Sequence, residues 1–244
     1  MNNRLKWMLG ILAVLLIITA VSAQKIWDYY EKIQLEPVVE LQESLRKMTT
    51  IESFRYRLQS EFVVKDRKEV ISELTGEKDK ENKHIKGEMV STPVDIYFID
   101  GMIYNYDSFS NKWLVIESGS SNSEDLMISE LNPLSNFRFK NVNQVEKLKF
   151  EKVDGVECLV VRCRPSVESK LLENLWKDFE YIFWLDYKQR LVRKAELTAV
   201  SKSNEQTHLE IKVKFYDFNK KIKLGPPDRA AGEAGGKTQK KGSS

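Results

Sequence analysis

The chain has 244 residues, 41% of them hydrophobic and 31% charged, with 39 Lys and Arg against 36 Asp and Glu. That length and apolar content suit one large domain or two small ones. A net charge of +3 makes no demand for nucleic acid or an acidic substrate, and no nucleic-acid partner is expected.

The opening "MNNRLKWMLGILAVLLIITAVSAQK" carries Arg4 and Lys6 and then no charge from Trp7 to Gln24. A basic start, an apolar run and the small tripeptide Val21-Ser22-Ala23 fit a cleaved signal peptide. The same run also reaches the length of a spanning helix. Trp27, Tyr29 and Tyr30 just beyond it resemble an interfacial aromatic belt. Residues 1–24 are therefore expected to be a membrane anchor or signal peptide, followed by a juxtamembrane linker over 25–37. A retained anchor would hold the cytoplasmic membrane as a partner, with the N-terminus inside and the bulk of the chain outside. Cleavage would leave a secreted or periplasmic protein. No cysteine follows the run to carry a lipid.

In "LEPVVELQESLRKMTTIESF", Val38, Leu41, Leu45 and Met48 recur at helical spacing, with Pro37 in the first turn. The period then becomes two. In "SFRYRLQSEFVV", Phe54, Tyr56, Leu58, Phe62 and Val64 fall on one side, and Arg55, Arg57, Gln59 and Glu61 on the other. That is a half-buried antiparallel strand. "EVISEL" reads as its partner and "TGEKDKENKH" as a charged loop. "IKGEMVST", "VDIYFIDG", "MIYNYD" and "KWLVIE" read as further strands, with Asp100-Gly101 as a hairpin turn.

"SGSSNSED" reads as a polar loop, and "DLMISELNPLSNF" as a short helix interrupted by Pro133. "KLKFEKV" and "VECLVVRCRP" form a hairpin around Asp154-Gly155. Cys158 and Cys163, five positions apart on one strand, point to opposite faces and cannot pair with each other, so both are expected as buried small side chains. "SVESKLLENLWKD" has Val167, Leu171, Leu172 and Leu175 at helical spacing, and "YIFWLDYKQRLVRKAEL" reads as two strands around a turn near Asp186 to Gln189. "THLEIKVKFYDFN" alternates Leu209, Ile211, Val213 and Phe215 against Glu210, Lys212 and Lys214. From Gly225 the chain is small and charged without periodicity, and a disordered tail over 225–244 is expected. The domain between, 38–224, is expected to be α+β: a strongly curved antiparallel sheet forming an open half-barrel, with two or three helices covering its concave side.

An ordered set of these pieces resembles the LolA/LolB-like superfamily of bacterial lipoprotein carriers, which also holds lipid-binding envelope lipoproteins and sensor domains of anti-sigma-factor regulators. The pieces are "IESFRYRLQSEF", "GEMVSTPVDIYFIDGMIYNYDSFSNKWLVIE", "LNPLSNF", "VDGVECLVVRCRP", "YIFWLDYKQRLVRKAEL" and "YDFNKKIKLGPPDRA", spanning about residues 38–230. The resemblance implies an unclosed eleven-strand half-barrel with an apolar cavity for acyl chains. It leaves the arginine that gates lipid release open between Arg55, Arg57 and Arg193.

The expected function is non-catalytic binding of an acyl lipid or a lipid-modified protein outside the cytoplasm. Phe54, Tyr56, Leu58, Phe62, Ile211, Val213 and Phe215 would line the cavity, and Trp113 and Trp184 would stand at its rim or wall. The same residues could equally be ordinary core. The alternative function is an envelope sensor or scaffold that binds another protein with no lipid cargo. An enzyme is not expected, because the chain lacks a Gly-x-Ser-x-Gly motif, a spaced Cys/His pair and a metal-ligand cluster. No cofactor or metal is expected.

Overall fold

The computed structural model describes residues 25–65, 67–117, 133–142 and 144–227. The expected anchor or signal over 1–24, the polar loop and most of the short helix over 118–132, and the tail beyond 227 lie outside the described residues. Residues 25–37, expected as a linker, hold a helix over 25–34, here α1.

Helix α2 (Pro37–Thr50) opens on Pro37, whose missing N–H is harmless in the first turn. It buries Leu41 and Met48 as its spacing predicts, while Val38 stays exposed. Glu40 and Ser44 share the buried side, and burial raises the Glu40 carboxyl above its ordinary pKa despite nearby Arg190.

Six strands follow: β1 (Ser53–Val64), β2 (Arg67–Asp79), β3 (Asn82–Met89), β4 (Thr92–Ile99), β5 (Met102–Asp107) and β6 (Lys112–Glu117). A 3-10 turn (Ser135–Phe137) and the short β7 (Phe139–Asn141) lead to β8 (Val145–Val153) and β9 (Val156–Cys163). Then come β10 (Ser166–Val167), helix α3 (Lys170–Leu175), β11 (Trp176–Asp186), β12 (Leu191–Ser201) and β13 (Thr207–Tyr216). Eleven strands make one sheet in the order β6-β5-β4-β3-β2-β1-β13-β12-β11-β9-β8, and β7 pairs with β10 apart from it. Every pairing in the large sheet is antiparallel, and among the described residues β6 and β8 do not pair with each other, so this curved sheet is open. Helix α2 packs against β8, β11 and β12.

Two local expectations change. Most of "TGEKDKENKH" is strand: β2 runs to Asp79, the turn is only Lys80-Glu81, and β3 resumes at Asn82. The charges there alternate with inward positions held by Leu74 and Gly76, and cross-strand pairing continues on both sides. The helix expected over "SVESKLLENLWKD" shrinks to Lys170–Leu175, since Val167 pairs in β10 and Trp176 begins β11. Ser169 caps it by accepting from the Leu172 N–H.

The helix-covered face holds the main core. Tyr181, Phe183 and Leu185 on β11 are wholly buried there, and the Phe137 ring meets Tyr181 and Phe183 edge-on at 5.7 and 5.8 Å. Each such ring contributes about 1.5–3 kcal/mol of burial. At the β11–β12 hairpin, Asp186 is 2% exposed. Its Oδ1 accepts from the Gln189 N–H at 3.0 Å, and Arg193 donates to its Oδ2 at 2.7 and 3.2 Å. Cys158 and Cys163 are free thiols on opposite faces of β9, one packed with Val153, Val160 and Trp184, the other in the main core.

Candidate functional site

Register decides which residues share the inner face. Leu114, Asn105, Ile96, Ile85, Gly76, Tyr56 and Phe215 lie opposite one another in succession from β6 to β13. The next inner row sets Val94, Gly87, Leu74, Leu58 and Val213 side by side. Two glycines therefore stand among large side chains, each for a steric reason. A Cβ at Gly76 would come within 2.4 Å of two ring carbons and the hydroxyl oxygen of Tyr56, so the tyrosine lies where that side chain would be. A Cβ at Gly87 would sit 2.1 Å from the Glu73 carbonyl oxygen, and its φ of +153° is one that few L-residues adopt.

Over this half of the sheet lies a cavity of about 680 Å³. Its wall is mainly apolar, with Leu58, Leu74, Val94, Ile96, Leu114 and Ile211 among its lining. Polar groups are few. The Ser60 and Ser72 hydroxyls share a hydrogen bond of 2.6 Å; Asn105 and Asn136 also line the space, and Thr92, Asp107 and Ser108 join them near the turns. The volume falls within the ~300–1,000 Å³ of ordinary ligand sites. Its mouth lies at the β3–β4 and β5–β6 turns, where Met89 and the 92%-exposed Phe109 stand. A second cavity, about 480 Å³, lies between the C-terminal half of α2 and the starts of β1 and β3. Leu45, Met48, Phe54 and Phe137 floor it, and Lys78, Glu81, Lys83 and Arg138 ring it. Burial lowers the Lys83 pKa, and Lys78 donates to the Ile51 carbonyl at 2.7 Å. Tyr56 lines both cavities and so stands between them; burial raises its phenol pKa.

The sequence-named residues divide accordingly. Tyr56, Leu58 and Ile211 line the larger cavity, and Phe54 with Tyr56 lines the smaller. Phe215 and Val213 are 1% exposed and belong to the core, with the Phe215 ring 5.6 Å from Phe54. Phe62 packs on Trp176 at 5.5 Å. The two tryptophans fall on the opposite face. Tyr181, Phe183 and Leu185 take the inward parity, so Trp184 turns outward onto Val153, Cys158 and Val160, with the Lys194 ammonium 4.1 Å above its ring. Trp113 packs outward against Tyr97 and Tyr106.

The three arginines also face away from both cavities: Arg55 between Glu77 and Asp217, Arg57 over the Tyr216 ring, and Arg193 on Asp186. Sequence reading missed Ser72, Leu74, Val94, Ile96 and Leu114. Their strands carry apolar residues on both faces, and only register reveals which face is inner. Among the described residues, no His, Cys, Asp and Glu gather in a group able to hold a metal.

The open eleven-strand sheet with helices on its inner face has the architecture that the sequence resemblance implies. Similar solved structures include the lipoprotein LppX of Mycobacterium tuberculosis, at 13% identity and a TM-score of 0.49, covering 77% of this chain and 97% of that one. LprF from Mycobacterium bovis is similar at 9% identity and a TM-score of 0.49, covering 77% and 95%. A LolA superfamily protein from Nitrosomonas europaea is similar at 10% identity and a TM-score of 0.32, covering 79% and 96%. No family model and no curated protein matches the chain.

Proposed function

We propose that this is an extracytoplasmic, membrane-tethered protein that holds the acyl chains of a lipid or a lipid-modified protein in the larger cavity, without catalysis. The observation that carries this reading is the apolar wall of that cavity on the inner face of an unclosed sheet. Each methylene moved from water to such a wall contributes about 0.8 kcal/mol. About ten of them would supply roughly 8 kcal/mol, the equivalent of micromolar affinity before association costs are deducted. The tether follows from the uncharged run Trp7 to Gln24 behind Arg4 and Lys6, which directs the domain across the membrane.

Native mass spectrometry of the full chain, with organic extraction of anything bound, tests the reading. A stoichiometric acyl lipid is the expected result. Leu58→Asp, which sets a carboxylate in the cavity wall, should lower lipid occupancy at least tenfold. Leu114→Asp is the folding-safe companion, because Leu114 is 49% exposed on edge strand β6. A protein that stays free of lipid after incubation with host lipid extract would sink the proposal and favour the sensor or scaffold reading.

A further inference from the structure

Helix α1 is attached by the wrong side for an ordinary surface helix. At about 100° per residue, Tyr29, Ile33, Ile26, Tyr30 and Trp27 share one broad arc, broken only by Gln34 at the end of the helix, and Glu31, Asp28, Lys32 and Lys25 share the other. Such a helix normally turns its apolar arc to the protein. Here the reverse holds: of the described α1 residues, Asp28, Glu31 and Lys32 are half-buried and the others are exposed.

The polar arc is latched to the domain. The Lys32 ammonium bridges Asp28 at 2.5 Å and Glu157 at 2.7 Å, and lies 5.2 Å from the Phe150 ring centre. Asp28 accepts from Lys188 at 3.4 Å and from the Tyr187 hydroxyl at 3.5 Å, while Lys147 donates to the Lys32 carbonyl at 2.5 Å. The outward arc is left apolar: Trp27 is 77% exposed, Tyr29 64%, Tyr30 60%, Ile33 57% and Ile26 56%.

We propose that this arc lies in the headgroup region of a phospholipid bilayer, with the axis of α1 in the membrane plane, so that the helix fastens the domain to the surface in one posture. The inference rests on the tethered reading above. Three observations select a bilayer as the occupant. The arc is made of tryptophan, tyrosine and isoleucine, whose rings carry an apolar body and a polar edge suited to that depth. The uncharged run ends at Gln24, directly ahead of the described residues of α1. Two of the charges that would oppose insertion, Asp28 and Lys32, are already paired on the domain side.

The test is site-directed spin labelling of the full chain reconstituted in phosphatidylcholine–phosphatidylglycerol vesicles. The variants are Ile26→Cys, Tyr30→Cys, Ile33→Cys and Glu31→Cys. The native thiols are buried, so the label goes to the introduced cysteine. Labels at 26, 30 and 33 should report one common depth, more open to oxygen than to a water-soluble nickel chelate, and the label at 31 should report no lipid contact. A steady change in depth from 26 to 33, at about 1.5 Å per residue, would mean an upright helix and overturn the proposal. So would aqueous signals at every position, or spin–spin broadening at 30 that reveals a second copy on this face. Extraction from the vesicles by alkaline carbonate separates the two claims. Protein that stays in the pellet with an aqueous α1 retains the tether and loses the interfacial helix, whereas protein released from the pellet loses both.

Discussion

Replacing Asp186 with alanine should destabilise the protein by about 3–5 kcal/mol, the usual effect of removing one partner from a buried ion pair. The carboxylate is almost fully enclosed and uses both oxygens, one on the Gln189 N–H of the turn and one on the Arg193 guanidinium. Arg193 has only 16% of its side chain exposed and lies 5.0 Å from the Phe218 ring centre. Without Asp186 its charge would remain against that ring with no anion beside it. At about 2–4 °C per kcal/mol for a domain of this size, the melting temperature should fall by roughly 6–20 °C. Asp186→Asn keeps an oxygen for the turn and should fall between the two. A melting temperature for Asp186→Ala within about 2 °C of wild type would show that the pair contributes nothing net.

Gly87→Ala should be of similar size. The new methyl meets the Glu73 carbonyl, which is backbone and unable to rotate aside, and the residue must also keep an unfavourable φ. Strain of this kind amounts to about 1–3 kcal/mol, and overpacking adds a comparable amount. Because Leu74 and Val94 flank Gly87 and both line the larger cavity, the β2–β3 pairing should shift where the cavity wall is formed. Lipid occupancy should fall along with stability. Gly101→Ala is the informative control: its φ is +80°, but its new Cβ would meet nothing within 4 Å. If the two variants unfold at the same denaturant concentration, the contact with Glu73 does not matter and the argument fails.

The parts of this fold legible in the sequence were those where one face is apolar and the other charged. β13, with Leu209, Ile211, Val213 and Phe215 against Glu210, Lys212 and Lys214, shows its parity on inspection. So does the first half of β1, and the Asp-Gly pairs at 100–101 and 154–155 lie in hairpin turns with positive φ as their chemistry requires. Alternation stops marking the faces where both are apolar. "YIFWL" offers no charged residue to mark the outside, so nothing in it excludes Trp184 from the cavity. Only pairing with Val160 and Lys194 settles its side. It also fails at "TGEKD", where the inward positions are glycine and lysine and the strand mimics a loop. The cavity suffers most, because its wall draws a few residues from each of β1 to β6 and from β13, each unremarkable in its own segment. An amphipathic helix shows its two faces in sequence, but not which of them the protein takes; α1 inverts the customary choice.

The two thiols of β9 are a built-in gauge of how often the sheet comes apart. That strand is hydrogen-bonded on both sides, by β8 and β11, and its cysteines are 0% and 2% exposed. Burial pushes the Cys158 thiol up to about 11 and the Cys163 thiol up to about 12, so little reactive thiolate exists near neutral pH in the closed state. Iodoacetamide should therefore leave the native protein unmodified and label both positions together. The labelling rate should track the population of the opened sheet as denaturant rises. Since the two side chains look out from opposite faces, modification of one long before the other would reveal which side of the sheet loosens first.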